Sequence, residues 1–135
     1  MSRRASLILA ATALILAVVA GLVIAERIEQ AAQVEARAVA ITGGDPQAGK
    51  ARIRAYGCGG CHDIPGVPQA HGKVGPPLGG IGARVYIAGR RANTPANLMD
   101  WIAAPHAIDP ETAMPTLGVT SAEARDIAAY LYTLD

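Results

Sequence analysis

Phenylalanine is absent from this chain of 135 residues, and one Trp and four Tyr are its only aromatics. A small domain so poor in large apolar rings must complete its core with something else, such as a large bound cofactor. Charge is also scarce: 17% of residues are charged, against about a quarter in ordinary soluble domains. The formal net charge of +1 excludes a nucleic-acid binder that works by bulk charge. Cysteine occurs twice, at Cys58 and Cys61, and two residues so close cannot staple a fold as a disulfide framework does. Strand-like alternation and internal repeats are missing as well, which argues for helices and loops.

The shortage of charge has a local cause. From Ala5 to Ala25 the chain carries none over 21 residues. In a helix that run reaches about 31 Å, enough to cross a bilayer core. Arg3 and Arg4 precede it and the mixed Glu26-Arg27-Ile28-Glu29 follows, which puts the N-terminus inside the cell. The expectation is a single-pass anchor over residues 1–25 in a bacterial inner membrane, with the rest of the chain on the periplasmic side. A cleaved signal peptide is the rival reading, since Val23-Ile24-Ala25 can pass as a cleavage site; the run is longer than the usual signal core of about 7–15 residues. Residues 26–45 read as a helical stalk and linker, rich in Glu, Gln, Ala and Arg and broken at Thr42-Gly43-Gly44.

Residues 46–135 read as one small all-α domain. Asp45-Pro46 is an N-cap followed by proline at the first helical position, so a helix is expected over Pro46–Tyr56 with a stop at Gly57. Thr94-Pro95 repeats the signal and starts a helix to about Ala104, ended by Pro105. Thr120-Ser121-Ala122-Glu123 is a capping box for a last helix to Leu134, with Ile127, Tyr130, Leu131 and Leu134 on one face. Long Gly- and Pro-rich loops join the three helices. Loops that long in a compact domain call for a function, and here they have something to wrap.

Both cysteines lie in Cys58-Gly59-Gly60-Cys61-His62. That pattern is a site of c-type haem attachment: each thiol adds to one vinyl group, and the adjacent His62 falls under the iron as proximal ligand. A thioredoxin-like Cys-x-x-Cys needs a βαβ context that is missing. A zinc site needs four ligands, and no second paired motif accompanies the first, although His71 and His106 could be recruited. The export signal agrees with haem attachment. The sixth ligand must then come from the C-terminal half. Met114 is the candidate, a thioether in a Pro-rich loop 52 positions after His62; Met99, His71 and His106 are the alternatives. Met99 falls inside a predicted helix, where Met is usually core; His71 and His106 read as exposed loop imidazoles.

With Gly75-Pro76-Pro77-Leu78, Ala113-Met114-Pro115 and the C-terminal Tyr130-Leu131-Tyr132-Thr133-Leu134, this motif resembles class I c-type cytochromes over residues 46–135. The resemblance is to membrane-anchored bacterial monohaem cytochromes c associated with terminal oxidases. It implies a small fold of three main helices and long loops around one covalently bound haem c, preceded by the transmembrane helix. It also implies roles for single residues. Class I c-type cytochromes place their axial Met in a Pro-rich loop such as that of Met114, which favours it over the alternatives. Pro76 would supply the carbonyl that orients His62, and Leu78 would pack on the haem face. Arg84, Tyr86, Thr112, and with them Arg90 and Arg91, would hold the propionates; for the last two, a solvated surface charge is an even alternative. Trp101 would stand beside the Met ligand, and Gly49 and Tyr130 where the terminal helices cross. The function implied is one-electron carriage on the periplasmic side, between partners such as a cytochrome bc complex and a terminal oxidase. No substrate is turned over and no nucleic acid or small molecule is bound, so the protein is a carrier rather than an enzyme. The alternatives are a fixed cytochrome c subunit of a membrane oxidoreductase such as a terminal oxidase and, further off, a haem sensor or peroxidase.

Two other patterns fail on inspection. Gly44-Asp45-Pro46-Gln47-Ala48-Gly49-Lys50 imitates a phosphate loop, but Ala51 stands where Ser or Thr must hold magnesium. Gly80-Ile81-Gly82 begins a dinucleotide fingerprint whose third Gly would be Val85. The domain's charge divides along the chain, net +6 over residues 46–92 and net −5 over residues 93–135. A split in sequence need not be a split on the surface, and the domain lacks the lysine excess of a strongly steered, freely diffusing carrier.

Overall fold

The computed structural model describes residues 3–134. Its contacts divide the chain into two units, with the boundary between Gln33 and Val34. Helix α1 runs from Arg3 to Thr42. Its first part is long and apolar enough to cross a membrane, with a mean hydropathy of 2.9 over the most apolar 18 residues. None of that window is buried within the protein, and Leu7, Leu14, Leu16 and Leu22 are each well over half exposed. A core helix of a soluble protein would hide such residues. Within the second unit the last turns of α1 are different. Ala38 and Thr42 are buried, and the Thr42 hydroxyl bonds back to the Ala38 carbonyl at 2.7 Å.

The second unit is helical and carries the elements expected from the caps. Helix α2 spans Pro46–Ala55; Asp45 Oδ1 accepts from the amides of Gln47 and Ala48, satisfying two orphan donors of the first turn. Gly57, with φ +70, ends α2 in the left-handed conformation that a glycine adopts without strain. Helix α3 spans Pro95–Ala103 behind the Thr94 cap. Helix α5 spans Ser121–Leu131, and both halves of the Thr120–Glu123 capping box are formed. It ends a turn earlier than expected, because Tyr132 caps it and Leu134 lies beyond.

Two features depart from the expected loops. Pro105 does end α3, but it also starts α4, Pro105–Ile108, since proline cannot continue a helix yet suits its first position. The absence of strands is also corrected: β1 (Tyr86–Ile87) pairs antiparallel with β2 (Arg91–Ala92), in the register Tyr86 to Ala92. Strands of two residues have no alternation to read, and the turn is Ala88-Gly89 rather than Asn-Gly. Both turn residues have positive φ, +50 and +67.

The core lies where α2 and α3 pack on α5. Ile53, Leu98, Trp101, Ile127 and Leu131 fill it, while Ala124, Ala128 and Ala129 of α5 are completely buried. Small residues let the backbones approach. A Cβ on Gly49 would lie 1.9 Å from the Asp126 carbonyl oxygen, and one on Gly44 would lie 2.2 Å from that of Arg125. Gly49 is therefore at the α2–α5 crossing, as expected. Tyr130 is buried there too; its hydroxyl donates to the Pro65 carbonyl at 2.8 Å, and Lys50 Nζ stands 5.9 Å from its ring centre. Arg52 of α2 pairs with Glu123 of α5 at 2.9 Å, and Asp45 N bonds Asp126 Oδ1 at 3.0 Å. Tyr56 at the end of α2 donates to Glu123 Oε2 at 2.8 Å.

Candidate haem site

Immediately after α2 the chain folds into a single tight turn over Cys58–Gly60. The amides of Cys61 and His62 both donate to the Cys58 carbonyl, at 3.2 and 3.0 Å. This turn puts the two thiols and the imidazole on consecutive corners of one short coil. Both cysteines are free and half-buried. Burial pushes the Cys58 thiol up from its ordinary value, so it remains a protonated thiol. A redox-active Cys-x-x-Cys does the opposite and stabilises a thiolate. Among the described residues, no three His, Cys, Asp or Glu side chains gather as a metal site.

The loop after His62 is laid back along the motif by its backbone. Gly72 N donates to the carbonyls of Gly59 and His62, Gly75 N to that of Cys61 at 2.8 Å, and Leu78 N to that of Asp63 at 2.8 Å. The carbonyl of Pro76 is thereby presented to the imidazole, and His62 Nδ1 donates to it at 2.7 Å. Its proton on Nδ1 leaves Nε2 with a free lone pair, the tautomer an iron ligand needs. Gly75 makes the approach possible. A Cβ there would lie 2.3 Å from His62 Cε1. Sequence reasoning gave Gly75 no role of its own, since a close approach between segments leaves no signal in a loop glycine.

Arg84 has partners within the chain. Its guanidinium donates to the carbonyl of Pro77 and, at 3.4 Å, to that of Gly79, so it clamps the segment that carries Pro76. Thr112 also has a local partner: its hydroxyl accepts from the amide of Met114 at 3.2 Å. Arg90 and Arg91 are exposed, and each stands near a carboxylate. Arg90 Nε meets Asp109 Oδ2 at 2.9 Å, and Arg91 lies 3.8 Å from Asp100. Together with Arg52–Glu123 these pairs stitch the basic stretch of sequence to the acidic one, so the charge split is not a surface split.

Leu78, Met99 and Met114 pack half-buried against the core, and Trp101 is buried within it. Met99 lies on α3 as expected, but it is not among the buried residues of that helix. Tyr86 stands on β1 and is 63% exposed. His71 and His106 are both exposed; His71 bonds Asp63 at 3.1 Å, and His106, on α4 rather than a loop, meets the Thr116 hydroxyl at 3.0 Å. The sequence did not point to the Asp109 or Thr116 contacts, which join positions far from any motif.

An imidazole with a fixed tautomer next to two thiols on one turn is the donor set a c-type haem attachment site needs. The family model for cytochrome c matches residues 46–135. The chain belongs to the cytochrome c family. Among curated proteins and solved structures nothing matches it. Membership makes this cytochrome an electron-transfer protein that binds haem c. The helical domain that matches follows directly on a helix of membrane-spanning length.

Proposed function

We propose that this cytochrome c is a membrane-anchored, monohaem one-electron carrier of a respiratory chain, with α1 in a bacterial inner membrane and the haem domain on the periplasmic side. The observation that carries the reading is the hydrogen bond from His62 Nδ1 to the Pro76 carbonyl, inside a Cys-x-x-Cys-His turn. Cys58 and Cys61 would form the thioether links to the haem, and His62 Nε2 and Met114 would hold its iron. Bound haem supplies one reversible electron at its iron.

The residues of the chain set how that electron is held. The Pro76 carbonyl keeps the imidazole ring oriented and makes it a better donor. Thioether and imidazole ligation in an apolar setting would favour the uncharged, ferrous side of the couple and a high potential. An iron held by both His62 and Met114 would have no open position for a substrate, as a carrier rather than a peroxidase or sensor requires. Redox partners such as a cytochrome bc complex and a terminal oxidase fit this role, and an anchored carrier reaches them by raised local concentration rather than by charge steering.

The test is one purification with two readouts. Extracted from membranes in mild detergent, the intact protein should retain residues 5–25 by mass and show a thioether-to-iron charge-transfer band when oxidised. Met114→Ala should abolish that band and lower the potential. A mature N-terminus at Glu26 would refute the anchor, and a band that survives Met114→Ala would refute the ligand.

A further inference from the structure

The two sides of the site are held in unlike ways. On the His62 side, backbone hydrogen bonds from Gly72, Gly75 and Leu78 fasten the loop to the motif. On the Met114 side, among the described residues, no backbone hydrogen bond joins residues 113–119 to another segment. That loop is held by side chains: Met114 and the buried Val119 pack against the core, and one polar contact stands at each end.

At its start stands Asp109, whose side chain is only 15% exposed. Its Oδ2 takes Arg90 Nε from the end of the hairpin at 2.9 Å, its Oδ1 accepts from Glu111 N at 3.3 Å, and its carbonyl accepts from Thr112 N at 3.1 Å. Thr112 in turn accepts from Met114 N. A continuous chain of contacts thus runs from Arg90 to the backbone of the axial residue. Its base is firm: Ile87 of the hairpin is buried, and Asn93 bonds the carbonyls of Ile81 and Arg84 at 2.6 and 3.0 Å. At the far end His106 holds Thr116, two residues past Met114, and α4 is seated by the fully buried Pro105.

We propose that the Arg90–Asp109 ion pair and the His106–Thr116 hydrogen bond form a two-point latch that closes the Met114 loop and sets how often the thioether leaves the iron. The inference rests on Met114 as the sixth ligand. Arg90, Asp109, His106 and Thr116 are then positioning residues. A segment held by few contacts opens locally before the domain unfolds. An outside ligand binds only the open form, so its apparent affinity rises in proportion to the open fraction.

Imidazole, titrated into the oxidised holoprotein and followed by loss of the charge-transfer band, reads that fraction. Arg90→Ala and Thr116→Val should each raise imidazole affinity about threefold to tenfold, the range for one lost hydrogen-bonded contact. Thr116→Ser should restore the wild-type affinity. In a Met114→Ala background, where no thioether competes and imidazole binding is followed instead by the shift of the main haem absorption band, the same substitutions should change nothing. Arg54→Ala on α2 removes the same charge elsewhere and should behave as wild type. Wild-type affinity in both Arg90→Ala and Thr116→Val overturns the latch, as does an equal increase in the Met114→Ala background or in Arg54→Ala. A Met114→Ala protein that keeps its band overturns instead the ligand assignment beneath it.

Discussion

Gly49→Ala puts two opposed effects on one atom, and their magnitudes decide the sign. Alanine is a better helix former than glycine, so the change in α2 alone would stabilise by about 1 kcal/mol. The added methyl, however, meets the α5 backbone at 1.9 Å from the Asp126 oxygen and 2.5 Å from its carbon. These are main-chain atoms of a helix and cannot rotate away. Because Cβ contacts below 3.0 Å do not occur, the helices must part by at least about 1.1 Å. Overpacking of this kind costs about 1–3 kcal/mol, and contact with backbone on a fully buried helix face belongs at the top of that range. Separation also strains the Arg52–Glu123 and Asp45–Asp126 links that span the same crossing. The net expectation is a loss of about 2 kcal/mol, or roughly 8–16 °C in Tm for a domain of this size. Thermal unfolding followed by the circular dichroism of the haem band measures it, with Ala51→Gly on the exposed face of α2 calibrating the helix-forming contribution. An unchanged or higher Tm for Gly49→Ala would show that the crossing is looser than the structure has it.

Acid should weaken the same crossing. Hydrogen bonds from the Thr120 amide and hydroxyl, and from Tyr56, hold the Glu123 carboxyl down at about 2, against an ordinary 4.5. A depressed carboxylate stabilises the fold above its unfolded value and loses that contribution as pH falls from about 4.5 to 2. Denaturant titrations of Glu123→Gln should therefore show a shallower decline of stability across that window than wild type, and an identical slope would rule the carboxylate out as its cause. Replacing both thiols, Cys58→Ser with Cys61→Ser, should leave the exported domain largely unfolded or degraded, because haem completes a core that has no Phe. A cooperative melt of that haem-free protein with near-native helix content would defeat the expectation.

Local chemistry was legible in the sequence and long-range chemistry was not. Asp45, Thr94 and Thr120 announce their helices because a cap bonds amides two or three residues away, and those bonds are present. The haem motif occupies five consecutive residues, and the membrane-length run of α1 needs only composition to be recognised. Pro76 as partner of His62 was reachable only through the family resemblance, since fourteen positions separate the two. Tertiary structure alone decided that Gly75 lies against the imidazole, that Arg84 clamps the Pro77 carbonyl, and that Ala88-Gly89 turns a hairpin. It likewise decided that Arg90 reaches Asp109 and that Arg52 reaches Glu123, so that a chain basic in one half and acidic in the other folds into neighbouring ion pairs. A cap or a covalent motif is specified by residues that are neighbours whatever the rest of the chain does. A contact between distant residues exists only after α2, α3 and α5 have packed, because packing sets which side chains come within a few ångströms of one another.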